Sequence, residues 1–150
     1  MNYLETKQQI LAELIVRQKT SIQSLQSAMD ETQQQANDYG APKDRYDAFR
    51  NQMMRQKDQF AKQLLKALED LMLLEKIDPN KVYDKIEFGA AFILNDQFII
   101  VAAPLGKVEV CGKSVFAISA AVPIFAAAAG KKAGDKFVFN GKEQIIETIF

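Results

Sequence analysis

Three aspartates are the residues whose type and spacing could do chemistry. Asp38, Asp44 and Asp47 lie in the polar stretch Ala36-Asn37-Asp38-Tyr39-Gly40-Ala41-Pro42-Lys43-Asp44-Arg45-Tyr46-Asp47. Carboxylates are hard oxygen ligands, suited to magnesium and to orienting a water on a phosphodiester, and they do both without histidine. The sequence has no histidine and one cysteine, Cys111. It therefore offers no imidazole base, no His/Cys metal set and no intrachain disulfide framework. Cys111 falls at the end of a predicted strand beside Gly112 and lacks a second thiol, so neither nucleophilic nor metal chemistry is expected of it. The plainer reading of the aspartates is structural. Asp44 would stabilise the first turn of a helix entered through Pro42, and the others would be solvated turn residues.

The elements that hold this stretch are two helices. Leu4, Gln8, Leu11, Ile15, Gln18, Ile22, Leu25, Met29, Thr32 and Ala36 recur at alternating spacings of four and three, in an interval free of glycine and proline. That is a heptad seam with glutamine at two of its positions. Beyond the turn, Tyr46, Phe49, Met53, Gln56, Phe60, Leu64, Ala67, Leu71 and Leu74 supply a partner seam. At heptad spacing, Tyr46, Phe49, Met53 and Phe60 are core rather than a ligand box. A short connection makes the helices antiparallel neighbours, each roughly 50 Å long at 1.5 Å per residue. Gly40 suits the position past the first helix and Pro42 the first turn of the second, which puts the tip near residues 37–44.

Asp78-Pro79-Asn80 ends the second helix near Ile77. The expected organisation is a coiled-coil hairpin over 1–77, a linker over 78–85 and a compact domain over 86–150. Strands are expected at Ile86–Leu94 and Gln97–Ala102 around Asn95-Asp96, at Lys107–Cys111 and Ser114–Ile118 around Gly112-Lys113, and at Lys136–Phe139 and Lys142–Ile149 around Asn140-Gly141. Pro123–Ala129 reads as a short helix stopped by Gly130, so the class is α+β, with a small antiparallel sheet and one short helix after the hairpin. Its alanine run could serve as a docking surface, but close packing on a sheet explains small residues as well. Formal charge balances at zero, which argues against a whole-protein field for nucleic acid or an acidic membrane. The first residues lack a leader pattern and the longest apolar run, Val122 to Ala129, is too short to span a bilayer, so a soluble cytoplasmic protein is expected.

This arrangement resembles the Gre-type bacterial transcript cleavage factors. The likeness rests on Ile86-Glu87-Phe88-Gly89-Ala90 and on Ile118-Ser119-Ala120-Ala121-Val122-Pro123, with Ile124 to Ala129 and Gly130-Lys131-Lys132-Ala133-Gly134-Asp135 after it. The family typically shows Ile-Ser, a short gap, Ser-Pro, a small helix, then Gly-Lys and Gly-Asp. Here Val122 stands where the family has serine before proline. The likeness covers most of the chain in architecture and its C-terminal third in motif. It implies an FKBP-like domain that docks at the mouth of the secondary channel of RNA polymerase, with Ile118, Ser119 and Pro123 as docking residues. The coiled coil would enter the channel, bring Asp38, Asp44 and Asp47 to the active centre, and place Arg50, Arg55 and Lys57 near the transcript. By this likeness the chain is not itself an enzyme. It lends carboxylates that share Mg2+ with the polymerase and stimulate cleavage of backtracked RNA. It would hold no cofactor of its own, meet RNA only within the polymerase complex, and bind neither a membrane nor a free small-molecule substrate.

The departure is at the tip, where the family's cleavage factors carry Asp-Leu-Ser/Lys-Glu-Asn-Ala-Glu-Tyr. Aligning Tyr46 with the tyrosine places Pro42 at the glutamate position, and Asp38 meets the first acid only if the turn has changed length. Two other readings stay open: a secondary-channel regulator that does not cleave, and a coiled-coil adaptor that self-associates through Gln8, Gln18 and Gln56. The basic residues of the second helix read equally as an ordinary solvated face with some ion pairs. Prolyl isomerase activity is not expected, because there is no tryptophan, no aromatic pocket lining is evident, and a fold alone does not carry activity.

Overall fold

The computed structural model describes residues 2–38 and 44–150, except for the side chains of residues 44–47. The expected turn with Gly40 and Pro42, and the side chains of Asp44, Tyr46 and Asp47, lie outside the described residues. The elements are α1 (Tyr3–Asp38), α2 (Asp44–Glu75), β1 (Ala91–Leu94), β2 (Gln97–Val101), β3 (Gly106–Val110), β4 (Lys113–Ile118), α3 (Pro123–Ala128), β5 (Lys136–Phe139) and β6 (Lys142–Ile149). The fold is α+β: two helices packed on each other, then a six-stranded sheet and a short helix. The chain divides into two compact units, Val16–Leu71 and Met1–Ile15 with Met72–Phe150.

In the helical unit, cross-helix hydrogen bonds fix the direction of pairing. Gln18 Nε2 donates to the Ala67 carbonyl at 2.8 Å, and Lys57 Nζ donates to Gln33 Oε1. Partners descend α2 as they ascend α1, so the helices are antiparallel. Ile22, Thr32, Ala36, Met53 and Ala67 are buried along the seam. One seam position differs from the sequence reading: Gln56 is exposed and Lys57 is half-buried. Counting back from Leu74 in strict steps of three and four gives Leu71, Ala67, Leu64, Phe60, Lys57 and Met53. A lysine can occupy such a place because its aliphatic stem buries while its ammonium reaches a polar partner.

The other unit is built on the sheet, ordered β3-β4-β2-β1-β6-β5. It is antiparallel apart from β2 and β4, which pair in parallel with Phe98 opposite Val115 and Val101 opposite Ile118. Alternation along β2 sends Phe98 and Ile100 to one face and Ile99 and Val101 to the other. The first face packs on Ile10, Leu11, Leu14, Leu74 and Ile77, so the N-terminal turns of α1 and the end of α2 share a core with the sheet. The second face packs on Ala128, Ile124 and Phe125 of α3. Residues 78–85, expected as a linker, carry the buried Tyr83.

Two local expectations shift. The strand expected to start at Ile86 begins at Ala91, because Gly89 turns the backbone to φ +92°. Ile86 instead pairs sideways, donating to the Lys131 carbonyl and accepting from Gly130 N–H. Cys111 does not end a strand. It has φ +52° beside Gly112 at +76°, so Cys111-Gly112 forms the two-residue hairpin turn between β3 and β4. The Asn95-Asp96 and Asn140-Gly141 turns have the same positive-φ pairs.

Lys7 joins three segments of this unit. It is fully buried, donates to the Phe150 backbone oxygen at 3.1 Å and the Lys81 carbonyl at 3.4 Å, and lies 4.3 Å from the Tyr83 ring centroid. Burial, with a smaller push from Lys81 and an opposing pull from Asp78, lowers its pKa from 10.5 to about 8. Below pH 8 both folded and unfolded chains carry the proton, and the folded state bears the cost of burying it. Between pH 8 and 10.5 the unfolded chain binds more protons, so stability rises with pH. Across that window, wild type is expected to gain about 3 kcal/mol relative to Lys7→Met, read from paired urea titrations at several pH values. A pH-independent difference between the two proteins would remove this account of Lys7.

Candidate functional site

Asp38 is the last residue of α1 and is exposed. Its Oδ1 accepts a hydrogen bond from Gln34 Nε2, one turn earlier, at 2.8 Å. Glutamine and aspartate four apart on a helix face one another, so the bond follows from spacing alone. It leaves the second carboxylate oxygen outside this hydrogen bond. The same spacing joins Gln33 Nε2 to Asn37 Oδ1 at 2.9 Å. Both polar residues that close α1 are thus held from the turn below. Asp44 is the first described residue of α2 and Asp47 lies three residues further along it.

The three basic candidates differ. Arg50 is half-buried and Arg55 is exposed. Lys57 is half-buried, with its ammonium on Gln33. Further along, Lys66 pairs with the buried Asp70 at 2.7 Å, an ion pair within one helix.

Ile118, Ser119 and Pro123 lie on a single connection, from the end of β4 to the start of α3. The Ile118 carbonyl accepts the Ala102 N–H at 2.8 Å, which fixes the start of this loop to the sheet. Ser119 Oγ accepts the Ala121 N–H at 3.2 Å, an inward bond that shapes the turn. Ala120, Ala121 and Pro123 are exposed. Val122 sits at the N-cap of α3 and supplies no side-chain cap, with Pro123 just inside the helix. Val122, which stands where the Gre-type pattern has serine before proline, is therefore the capping position, where serine would satisfy an N–H that valine cannot.

Among the described residues, no group of three or more histidine, cysteine or acidic side chains is placed to hold a metal ion. No described helix is long and apolar enough to cross a membrane. A concavity of about 690 Å³ opens beside β2 and β4, lined by Tyr3, Phe98 and Phe116 with Lys107, Lys113 and Glu147. Asp96 also lines it, so two lysines face two carboxylates and no single charge converges there.

Of the three acids, Asp38 alone has a described partner, Gln34. Gln33 and Gln34 were legible as partners of Asn37 and Asp38 from the four-residue spacing. Lys7 carried no such signal, since its partners come from residues 81, 83 and 150. No family model, curated protein or solved structure matches the chain.

Proposed function

We propose that this chain is a bacterial, cytoplasmic RNA polymerase-binding factor of Gre-like build, which enters the secondary channel and stimulates cleavage of backtracked RNA through carboxylates at the end of its helix pair. The observation that carries this reading is the exposed Asp38 carboxylate at the end of α1, oriented by Gln34. The helix pair below it already satisfies Gln18 and Lys57 within the chain. That internal use favours a hairpin closed on itself over an adaptor that exchanges helices with a second copy. The loop from Ile118 to Pro123 offers the polymerase an exposed, sheet-anchored contact, as the resemblance implies for docking.

The donor chemistry fits a magnesium ion shared with the polymerase. Mg2+ is usually held by one or two carboxylates with substrate phosphates and water, so Asp38 alone is a sufficient contribution from this chain. When bound, the ion would polarise the scissile phosphate and lower the pKa of an attacking water. Asp38 supplies one anionic oxygen toward that site, and Gln34 limits the rotation of its carboxylate. Asp44 and Asp47 are the further candidates. RNA is met only inside the polymerase complex, and no reaction is assigned to the free chain.

The Pro42 register favours a second reading, a channel factor that binds without cleaving. Backtracked elongation complexes carrying 3′-labelled RNA separate the two. Release of short 3′ fragments on adding the chain is the expected result. Binding to the same complexes without fragment release would replace the cleavage reading with the regulatory one.

A further inference from the structure

We infer that Lys57 is a positioning residue, not a phosphate contact: acting through Gln33 and Asn37, it fixes the last turn of α1, which ends in Asp38, against α2. The seam near that end is poor in shape. Thr32 and Ala36 are its buried residues on α1, both small, and Thr32 turns its hydroxyl back onto the Ala28 carbonyl at 2.8 Å. Small side chains slide past a partner helix with little penalty, so apolar packing alone sets the pairing register weakly there. A single lysine or asparagine on a coiled-coil seam supplies the missing specification, because its polar group has one satisfied arrangement.

Lys57 stands on that seam, and its chemistry gives the network a direction. An ammonium can only donate, so Gln33 must present its oxygen to Lys57. That choice turns the Gln33 amide nitrogen outward, onto Asn37 Oδ1 at 2.9 Å. The chain of bonds runs from α2 through Gln33 to the residue before Asp38. On the neighbouring flank Gln34 holds Asp38 itself.

The functional half of this inference rests on the proposed function, and the structural half does not. The structural half is tested on the free, full-length chain by amide hydrogen exchange over residues 29–38. Lys57→Ala and Gln33→Ala are each expected to speed exchange about fivefold, the equivalent of one cross-helix hydrogen bond. The double variant should be no faster than the more affected single one, and Lys57→Arg, which keeps donors, should retain protection. Effects that multiply, or protection unchanged in Lys57→Ala, would overturn the clamp whether or not the chain binds polymerase. The functional half is read from cleavage at increasing factor concentration. Lys57→Ala is expected to lower the maximal rate with the half-saturating concentration and its salt dependence unchanged. A higher half-saturation with a shallower salt dependence would instead make Lys57 a phosphate contact.

Discussion

Asp38→Asn is expected to slow stimulated cleavage of backtracked RNA by roughly 100- to 1,000-fold, the range seen when one preorganised electrostatic group is removed from a reacting centre. The substitution keeps the size and hydrogen-bonding shape of the side chain and removes its charge, so it isolates the role of the anion. It should leave folding almost untouched. Asp38 is exposed and its one described hydrogen bond, from Gln34, is a surface contact worth a few tenths of a kcal/mol. Loss of rate with an unchanged unfolding midpoint therefore assigns the effect to the reaction and not to the fold. Asp38→Ala should fall by a similar factor. If both variants cleave at the wild-type rate, Asp38 has no part in the chemistry and Asp44 and Asp47 must be tested in its place.

Gly89→Ala is expected to cost about 4 kcal/mol of stability, combining backbone strain with overpacking. The two penalties have separate sources. At φ +92° an L side chain is strained whatever the space around it. The space is also taken, because a Cβ at this position would lie 2.5 Å from Tyr83 Oη and 3.1 Å from its ring carbon Cζ. Tyr83 has little room to yield, since it is buried with the Lys7 ammonium over its ring. Gly89 also closes the approach to β1 by donating to the Val101 carbonyl at 2.8 Å. Adding Tyr83→Phe removes the nearest atom and is expected to restore about a third of the loss, leaving the backbone share. Urea unfolding of the two variants and the wild type measures this. A Gly89→Ala protein within 1 kcal/mol of wild type would show that the turn relaxes freely.

What could be read from the chain depended on how far each determinant reached. The hairpin at Asn140-Gly141 places β5 and β6 at their expected bounds, because two adjacent residues with positive φ decide it locally. The Cys111-Gly112 turn was placed one residue late, since cysteine is not a residue that advertises positive φ. The stretch from Ile86 to Leu94, rich in branched and aromatic residues, reads as one strand, and only the conformation of Gly89 shows that it is two pieces with different partners. The parallel pairing of β2 with β4 joins strands separated by β3 in sequence, and no short-range pattern encodes it. At the candidate site, Asp38 stands out in the sequence by type, as an acid beside a turn. By type Lys57 reads as surface and Gln56 as seam, although strict heptad spacing chooses Lys57. Lys7 lay beyond any reading of periodicity, since its burial depends on three distant segments meeting.

The central claim is occupancy of the polymerase secondary channel, and competition binding tests it most directly. The labelled full-length chain is expected to bind core bacterial RNA polymerase from its own source and to be displaced, stoichiometrically, by a known secondary-channel binder. Failure to bind under conditions that retain that binder, or simultaneous occupancy by both, would contradict the account.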